Sequence, residues 1–105
     1  MVSFTTFKNS DHFLYLKKEE NCLIEEGLRV YIKENQEEIS RLGISVPKSE
    51  ANAVKRNKFR RKIKEVVRGL EAENNFDIYI VGTKNGTKLK YGDLRKIITT
   101  HPKLI

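Results

Sequence analysis

The hydrophobic period of the chain switches from two to about 3.6 partway along, and that switch dictates the architecture. Leu28-Arg29-Val30-Tyr31-Ile32-Lys33 alternates strictly: Leu28, Val30 and Ile32 point one way, Arg29, Tyr31 and Lys33 the other. Residues 41–47 alternate again, with Leu42, Ile44 and Val46 inward and Pro47 closing the strand. From about Asn52 to Glu73 the spacing becomes helical, and Phe59, Ile63, Val66, Val67 and Leu70 fall on one stripe. A sheet with one apolar face needs a cover, and an amphipathic helix supplies it.

The remaining elements fit around that frame. Residues 10–18 predict a short helix, with Asn9 or Ser10 as its cap and Asp11 in its first turn. Residues 21–25 predict a strand, although Glu25 and Glu26 crowd it. Asp77-Ile78-Tyr79-Ile80-Val81 is a further strand, Asn85-Gly86 a turn signal, and Tyr91 to about Thr100 a last helix carrying Leu94, Ile97 and Ile98. The expected order is α-β-β-β-α-β-α, an α+β fold built as a two-layer α-β sandwich. With 105 residues and no linker or repeat, residues 1–105 are expected to form one domain.

Charge is distributed more informatively than its total of +7 suggests. Between Lys55 and Arg68 stand eight basic residues against the single acid Glu65; the other 13 basic and 13 acidic residues cancel. The positive field therefore belongs to one element, the long helix, and nucleic acid is the natural partner for it. Arg56, Arg60, Arg61 and Arg68 bring planar forks suited to phosphate, while Lys55, Lys58 and Lys64 bring point charges. Lys48 extends the patch toward the helix entrance, and Asn57 among the arginines can hydrogen-bond a ribose or a base. A solvated basic face without ligand is the bland alternative.

The outward strand parity sets Tyr31 between Arg29 and Lys33, with Gly43 and Ser45 on the corresponding face of the next strand. An open, basic, aromatic-bearing sheet is a platform for unpaired bases. Phe13 either walls such a groove or packs in the core, and Tyr31 is equally readable as an ordinary surface tyrosine.

Catalytic patterns are weak. His12 and His101 lie near opposite chain ends, Cys22 has no second cysteine, and the carboxylates follow no metal-nuclease spacing. The run from Gly82 to Lys88 lacks the spacing of a phosphate loop. No catalytic residue and no protein-bound metal is expected. No stretch reaches the roughly 18 apolar residues of a membrane span, and the first residues lack a secretory pattern, so a cytoplasmic protein with neither membrane nor small-molecule partner is expected.

Arg41-Leu42-Gly43-Ile44-Ser45-Val46-Pro47-Lys48, followed by Ala53-Val54-Lys55-Arg56-Asn57-Lys58-Phe59-Arg60-Arg61 and then Glu65 and Arg68, closely resembles the protein component of bacterial ribonuclease P. That family carries an R-x-G-x-x-V-x-K strand and an A-V-x-R-N-R-x-K-R helix entrance. The match is strong over about 41–68 and looser over Asp11-His12-Phe13, Tyr31, Asp77-Ile78-Tyr79-Ile80 and Tyr91. The resemblance implies a left-handed β-α-β crossover. Its implied partners are a catalytic RNA and precursor tRNA, whose 5′ leader that RNA removes with Mg²⁺. It implies RNA binding by Lys48, Asn52, Lys55, Arg56, Asn57, Lys58, Arg60, Arg61, Lys64 and Arg68. A leader cleft would be formed by Phe13, Lys17, Arg29, Tyr31 and Lys33. Lys58 departs from the second Arg of R-N-R, Pro47 and Ser49 from a V-S-K-K run, and Lys17 from a position that is often aromatic. A ribosomal or architectural nucleic-acid-binding protein, and a metal-dependent nuclease acting alone, are the competing classes.

Overall fold

The computed structural model describes residues 4–7, 10–71 and 74–104, with the side chains of residues 10–12 left aside. The strands are β1 (Phe4–Phe7), β2 (Cys22–Glu25), β3 (Leu28–Glu34), β4 (Ser40–Ser45) and β5 (Phe76–Gly82); the helices are α1 (Ala53–Arg68) and α2 (Tyr91–Thr99). Short 3₁₀ helices occupy Ser10–Leu16, Glu19–Asn21 and Gly86–Lys88. The strands form a single sheet in the order β1-β4-β5-β3-β2. β1, β4 and β5 run parallel, while β3 is antiparallel to β5 and to β2. β4, α1 and β5 thus make a β-α-β unit between neighbouring parallel strands.

The α-β sandwich expected from the sequence is present, with four differences. β1 was not anticipated: four residues carry little pattern, and their pairing partner lies more than thirty positions away in β4. Residues 10–16 are 3₁₀ rather than α-helical. At three residues per turn Phe13 and Leu16 eclipse, and both are buried against the sheet. α1 stops at Arg68, because the Gly69 amide folds back to the Glu65 and Val66 carbonyls. β4 ends at Ser45, before Val46 and Pro47. The expected cap Asn9 and helix end Glu73 lie outside the described residues.

One face of the sheet carries the main core. Leu28, Val30 and Ile32 of β3, Leu42 of β4, and Ile78 and Ile80 of β5 pack beneath Phe59, Ile63, Val66 and Val67 of α1 and Leu94, Ile97 and Ile98 of α2. The β2–β3 hairpin closes through Glu26 (φ 48°) and Gly27 (φ 82°), the paired left-handed residues a two-residue hairpin requires. The Gly27 carbonyl then accepts from the Thr83 amide and hydroxyl, tying the hairpin to the end of β5.

The opposite face has a core of its own. Register aligns Phe7, Gly43, Tyr79, Tyr31 and Cys22 as one row across the five strands. Phe13 descends onto that row above Gly43 and stacks on Tyr79, centroids 5.2 Å apart and planes 19° off parallel. Leu16 completes the cluster. Gly43 is glycine because a Cβ there would collide with the Phe13 ring and come within 2.8 Å of Tyr79 Cδ1.

Two buried polar groups fasten the layers. Arg41 grips Asp77 with both forks, Nε to Oδ1 and Nη2 to Oδ2 at 2.6 Å, while the Asn35 amide donates to Oδ1 at 2.8 Å. Burial pushes the Asp77 carboxyl up to about 6, so at pH 7 it is still the carboxylate those donors need. His101, 1% exposed, donates from Nε2 to the Asn21 and Val30 carbonyls and accepts the Lys103 amide at Nδ1. Both ring nitrogens are engaged as those of a neutral imidazole, and burial lowers the pKa below the usual histidine value.

Two expectations follow. Gly43→Ala should cost about 1–3 kcal/mol through overpacking, and part of that cost should vanish in a Phe13→Ala background; additive losses in a denaturation double-mutant cycle would contradict the Phe13–Gly43 contact. Because the folded-state pKa of His101 is lowered, its stabilisation is complete above the unfolded value of about 6.5 and is lost as pH falls below it. The stability of wild type relative to His101→Gln should therefore decline from pH 7.5 to pH 5 in parallel denaturant titrations, Asp77 cancelling in the difference.

Candidate nucleic-acid interface

α1 begins where Asn52, in extended geometry, accepts the Lys55 amide on Oδ1 at 2.9 Å. Asn52, expected on the RNA-binding surface, is exposed, and its side-chain oxygen serves as the helix cap. With the apolar stripe turned to the sheet, the cations are sorted by position around the helix. Arg56 is half-buried and folds back, Nη1 to the Ala51 carbonyl at 2.9 Å. Arg68 pairs with Glu65 at 2.7 Å and lies over the Phe4 ring of β1. Lys62 donates to the Leu89 carbonyl at 2.8 Å. The Arg56 and Arg68 side chains are thus partly committed to the fold.

The others are not. Among the described residues the only ion pairs are Arg41–Asp77 and Arg68–Glu65. Among the described residues Lys55, Lys58, Arg60, Arg61 and Lys64 find neither a carboxylate partner nor a side-chain hydrogen bond. Asn57, Arg60 and Lys64 converge on a groove between α1 and the β1 edge, walled by Thr6 and Phe7 and floored by Leu42 and Ile44. Arg61 stands outermost and exposed, and Lys48 is exposed in the turn before the helix. Like charges this close repel one another, so a helix presenting five unneutralised cations is complementary to a polyanion.

The residues expected to form a leader cleft lie on the opposite face of the sheet from α1. Tyr31 is half-buried, with its ring 6.2 Å from that of Tyr79. Lys17 holds its ammonium 5.2 Å above the same Tyr79 ring, and Arg29 and Lys33 flank Tyr31, exposed. Burial, together with Cys22 across the strand, raises the Tyr31 phenol above the usual tyrosine range, so at neutral pH it is a hydroxyl donor. Phe13 corrects the expectation: at 1% exposed, it is the plug of the second core and offers no face to a base. Gly43 and Ser45 do share the Tyr31 face, but β5 intervenes, and Tyr79 occupies the space between.

Sequence reading missed the β1 contribution. Phe4-Thr5-Thr6-Phe7 is β-prone, but only its parallel pairing with β4 reveals that Thr6 and Phe7 complete the groove opposite Asn57 and Arg60. Among the described residues no three His, Cys, Asp or Glu side chains come together as a metal site, and no helix is long and apolar enough to cross a membrane.

Comparison with known proteins bears on this arrangement. A family model described as Ribonuclease P matches residues 1–103. The ribonuclease P protein component of Mycoplasma capricolum is 38% identical over 72 residues, 66% of this chain and 66% of that protein. The component from Finegoldia magna is 36% identical over 66 residues, 61% of this chain and 58% of its own length, so the match spans less than two thirds of each of these relatives. The Streptococcus pneumoniae component is 29% identical over 91 residues, 85% of this chain and 74% of the relative. The solved ribonuclease P protein from Thermotoga maritima superposes with a TM-score of 0.74 at 26% identity, covering 96% of this chain and 97% of the other. That from Staphylococcus aureus gives 0.72 at 26% identity, covering 94% and 93%.

The geometry separates binding cations from structural ones. Replacing Arg60, Arg61 and Lys64 by Ala together should weaken binding to a structured RNA and leave thermal stability nearly unchanged. Arg56→Ala should lower stability as well, by about 1 kcal/mol for the missing bond to the Ala51 carbonyl. Filter binding and thermal denaturation of both variants distinguish the two roles.

Proposed function

The chain belongs to the bacterial ribonuclease P protein family, and from that premise we propose that it is the non-catalytic subunit of a tRNA-processing ribonucleoprotein, assembling with the catalytic RNA through α1. The observation that carries this reading is the set of five cations on α1 that nothing in the described protein neutralises, on a helix whose apolar stripe is fully used by the core. Such a helix gains from phosphate contacts and counterion release without changing its packing.

On this reading precursor tRNA is the substrate, and its 5′ leader meets the other face of the sheet. A leader nucleotide stacks on the exposed part of Tyr31, while Lys17, Arg29 and Lys33 attract its phosphates. The hydrolysis of the phosphodiester belongs to the RNA, with Mg²⁺ held by RNA; the protein residues bind and orient strands. His101 is buried in backbone hydrogen bonds and Asp77 is clamped by Arg41, so both serve the fold. A reducing cytoplasm suits a chain with the lone Cys22.

RNA-free protein should leave precursor tRNA intact. Addition of a bacterial ribonuclease P RNA should release the leader at low Mg²⁺, where that RNA alone is slow; cleavage by protein freed of RNA would contradict the reading. Within the assembled enzyme, Tyr31→Ala should weaken binding of precursor tRNA by on the order of 1–3 kcal/mol and leave mature tRNA almost unaffected. Equal losses for the two ligands would remove Tyr31 from the leader path.

A further inference from the structure

α1 has two basic flanks of different chemistry. The side toward β1 carries Asn57, Arg60 and Lys64 in the groove, with Arg68 reaching Phe4. The other side carries Lys55, Lys58 and Lys62 and no arginine, with Glu65 a turn further on paired to Arg68. Residues two apart on a helix do not share a face, so Arg60 and Lys62 point to opposite flanks.

The segment between β5 and α2 runs along this second flank. Its start is tied to the turn before α1, the Lys84 amide donating to Glu50 Oε2 at 3.0 Å. Its end is tied further along the helix, where Lys62 reaches the Leu89 carbonyl. Gly82 makes the approach close, since a Cβ there would lie 2.8 Å from the Phe59 ring. The segment contributes Lys84, Lys88 and Lys90, all exposed. Three helix lysines and three loop lysines therefore line one edge. The acids around this edge are Glu50, already engaged by the Lys84 amide, Asp93 in the first turn of α2, Glu26 beside the Gly27 that Thr83 bonds, and Glu65, paired with Arg68; six lysines outnumber them.

We propose that this lysine edge is a second phosphate-binding surface, which takes the backbone of helical RNA on a strand other than the one gripped by the Asn57–Arg60–Lys64 flank. An α-helix is about 10–12 Å across with its side chains, so cations on its two flanks engage different phosphates. Lysine is a mobile, strongly hydrated point charge, whereas the arginine fork is planar and directional. The lysine edge contributes affinity through counterion release, and the arginine flank contributes register. The proposal rests on the reading of α1 as an RNA-binding helix and adds a strand to it.

The test uses the loop lysines, because Lys62 is structurally engaged. Full-length protein with Lys84→Gln, Lys88→Gln and Lys90→Gln is titrated against a bacterial ribonuclease P RNA across a series of monovalent salt concentrations. Folding is verified by circular dichroism and thermal denaturation. The log–log salt slope should become shallower by about 0.9 for each duplex phosphate no longer engaged, hence by about 2–3 in total. The corresponding triple Lys→Arg variant should keep the wild-type slope. An unchanged slope in the Gln variant, with Arg60→Ala still weakening the complex, overturns the lysine edge and leaves the proposed function standing. Equal losses in the Gln and Arg variants overturn it too, since charge would not be what matters. Failure of the wild-type protein to bind the RNA overturns the underlying reading itself.

Discussion

Burial of β5 on both faces is the constraint from which the rest of the molecule follows. Phe76, Ile78 and Ile80 lie under the long helices, while Asp77 and Tyr79 are buried on the other side. A strand wet on neither face needs a cover on each. α1 and α2 supply one; the 3₁₀ helix Ser10–Leu16 supplies the other by placing Phe13 over Gly43 and against Tyr79. The Arg41–Asp77 clamp, with the Asn35 amide, supplies the donors that allow a carboxylate at this depth.

That two-sided arrangement also separates the two surfaces proposed to meet RNA. The sheet stands between the cations of α1 and the Tyr31 row, so on the proposed reading strands held by the two surfaces would pass on opposite sides of the sheet. They approach each other at the β1 edge, where Phe7 packs on the Phe13 cluster and also walls the Asn57–Arg60 groove. Cations near the frame are used by it: Arg41 in the clamp, Arg56 on the helix entrance, Lys62 on the loop before α2. Those further from it have no carboxylate partner among the described residues.

Much of this was legible in the residues. Strict alternation in 28–33 and 41–46 identified the inward face of β3 and β4, because a one-residue slip would expose every core side chain. The 3.6-residue stripe identified the buried face of α1 and, by subtraction, the charged one. What stayed hidden depends on distant partners. Four residues of β1 have no identity as a strand until β4 lies beside them. Phe13 reads as cleft or core until Gly43, which lacks a Cβ, is found beneath its ring. The insertion of β5 between β3 and β4 is a matter of chain crossover, on which local pattern is silent, and it put Tyr79 where an open platform was expected. Within the helix, Asn52, Arg56 and Arg68 looked like their neighbours, and only their hydrogen bonds and ring contacts separate them.

If α1 offers its uncommitted cations to RNA, amine-reactive footprinting read by mass spectrometry should detect it at single residues. Acylation of Lys55, Lys58 and Lys64 should be suppressed when the protein is assembled with the catalytic RNA, while Lys96, exposed on α2 beside Glu25 and Glu26 of the hairpin, keeps its free-state reactivity. Lys17 and Lys33 should become protected only when precursor tRNA bearing a leader is added. If Lys55, Lys58 and Lys64 label as fast in the assembled enzyme as in the free protein, α1 is not the RNA-binding element.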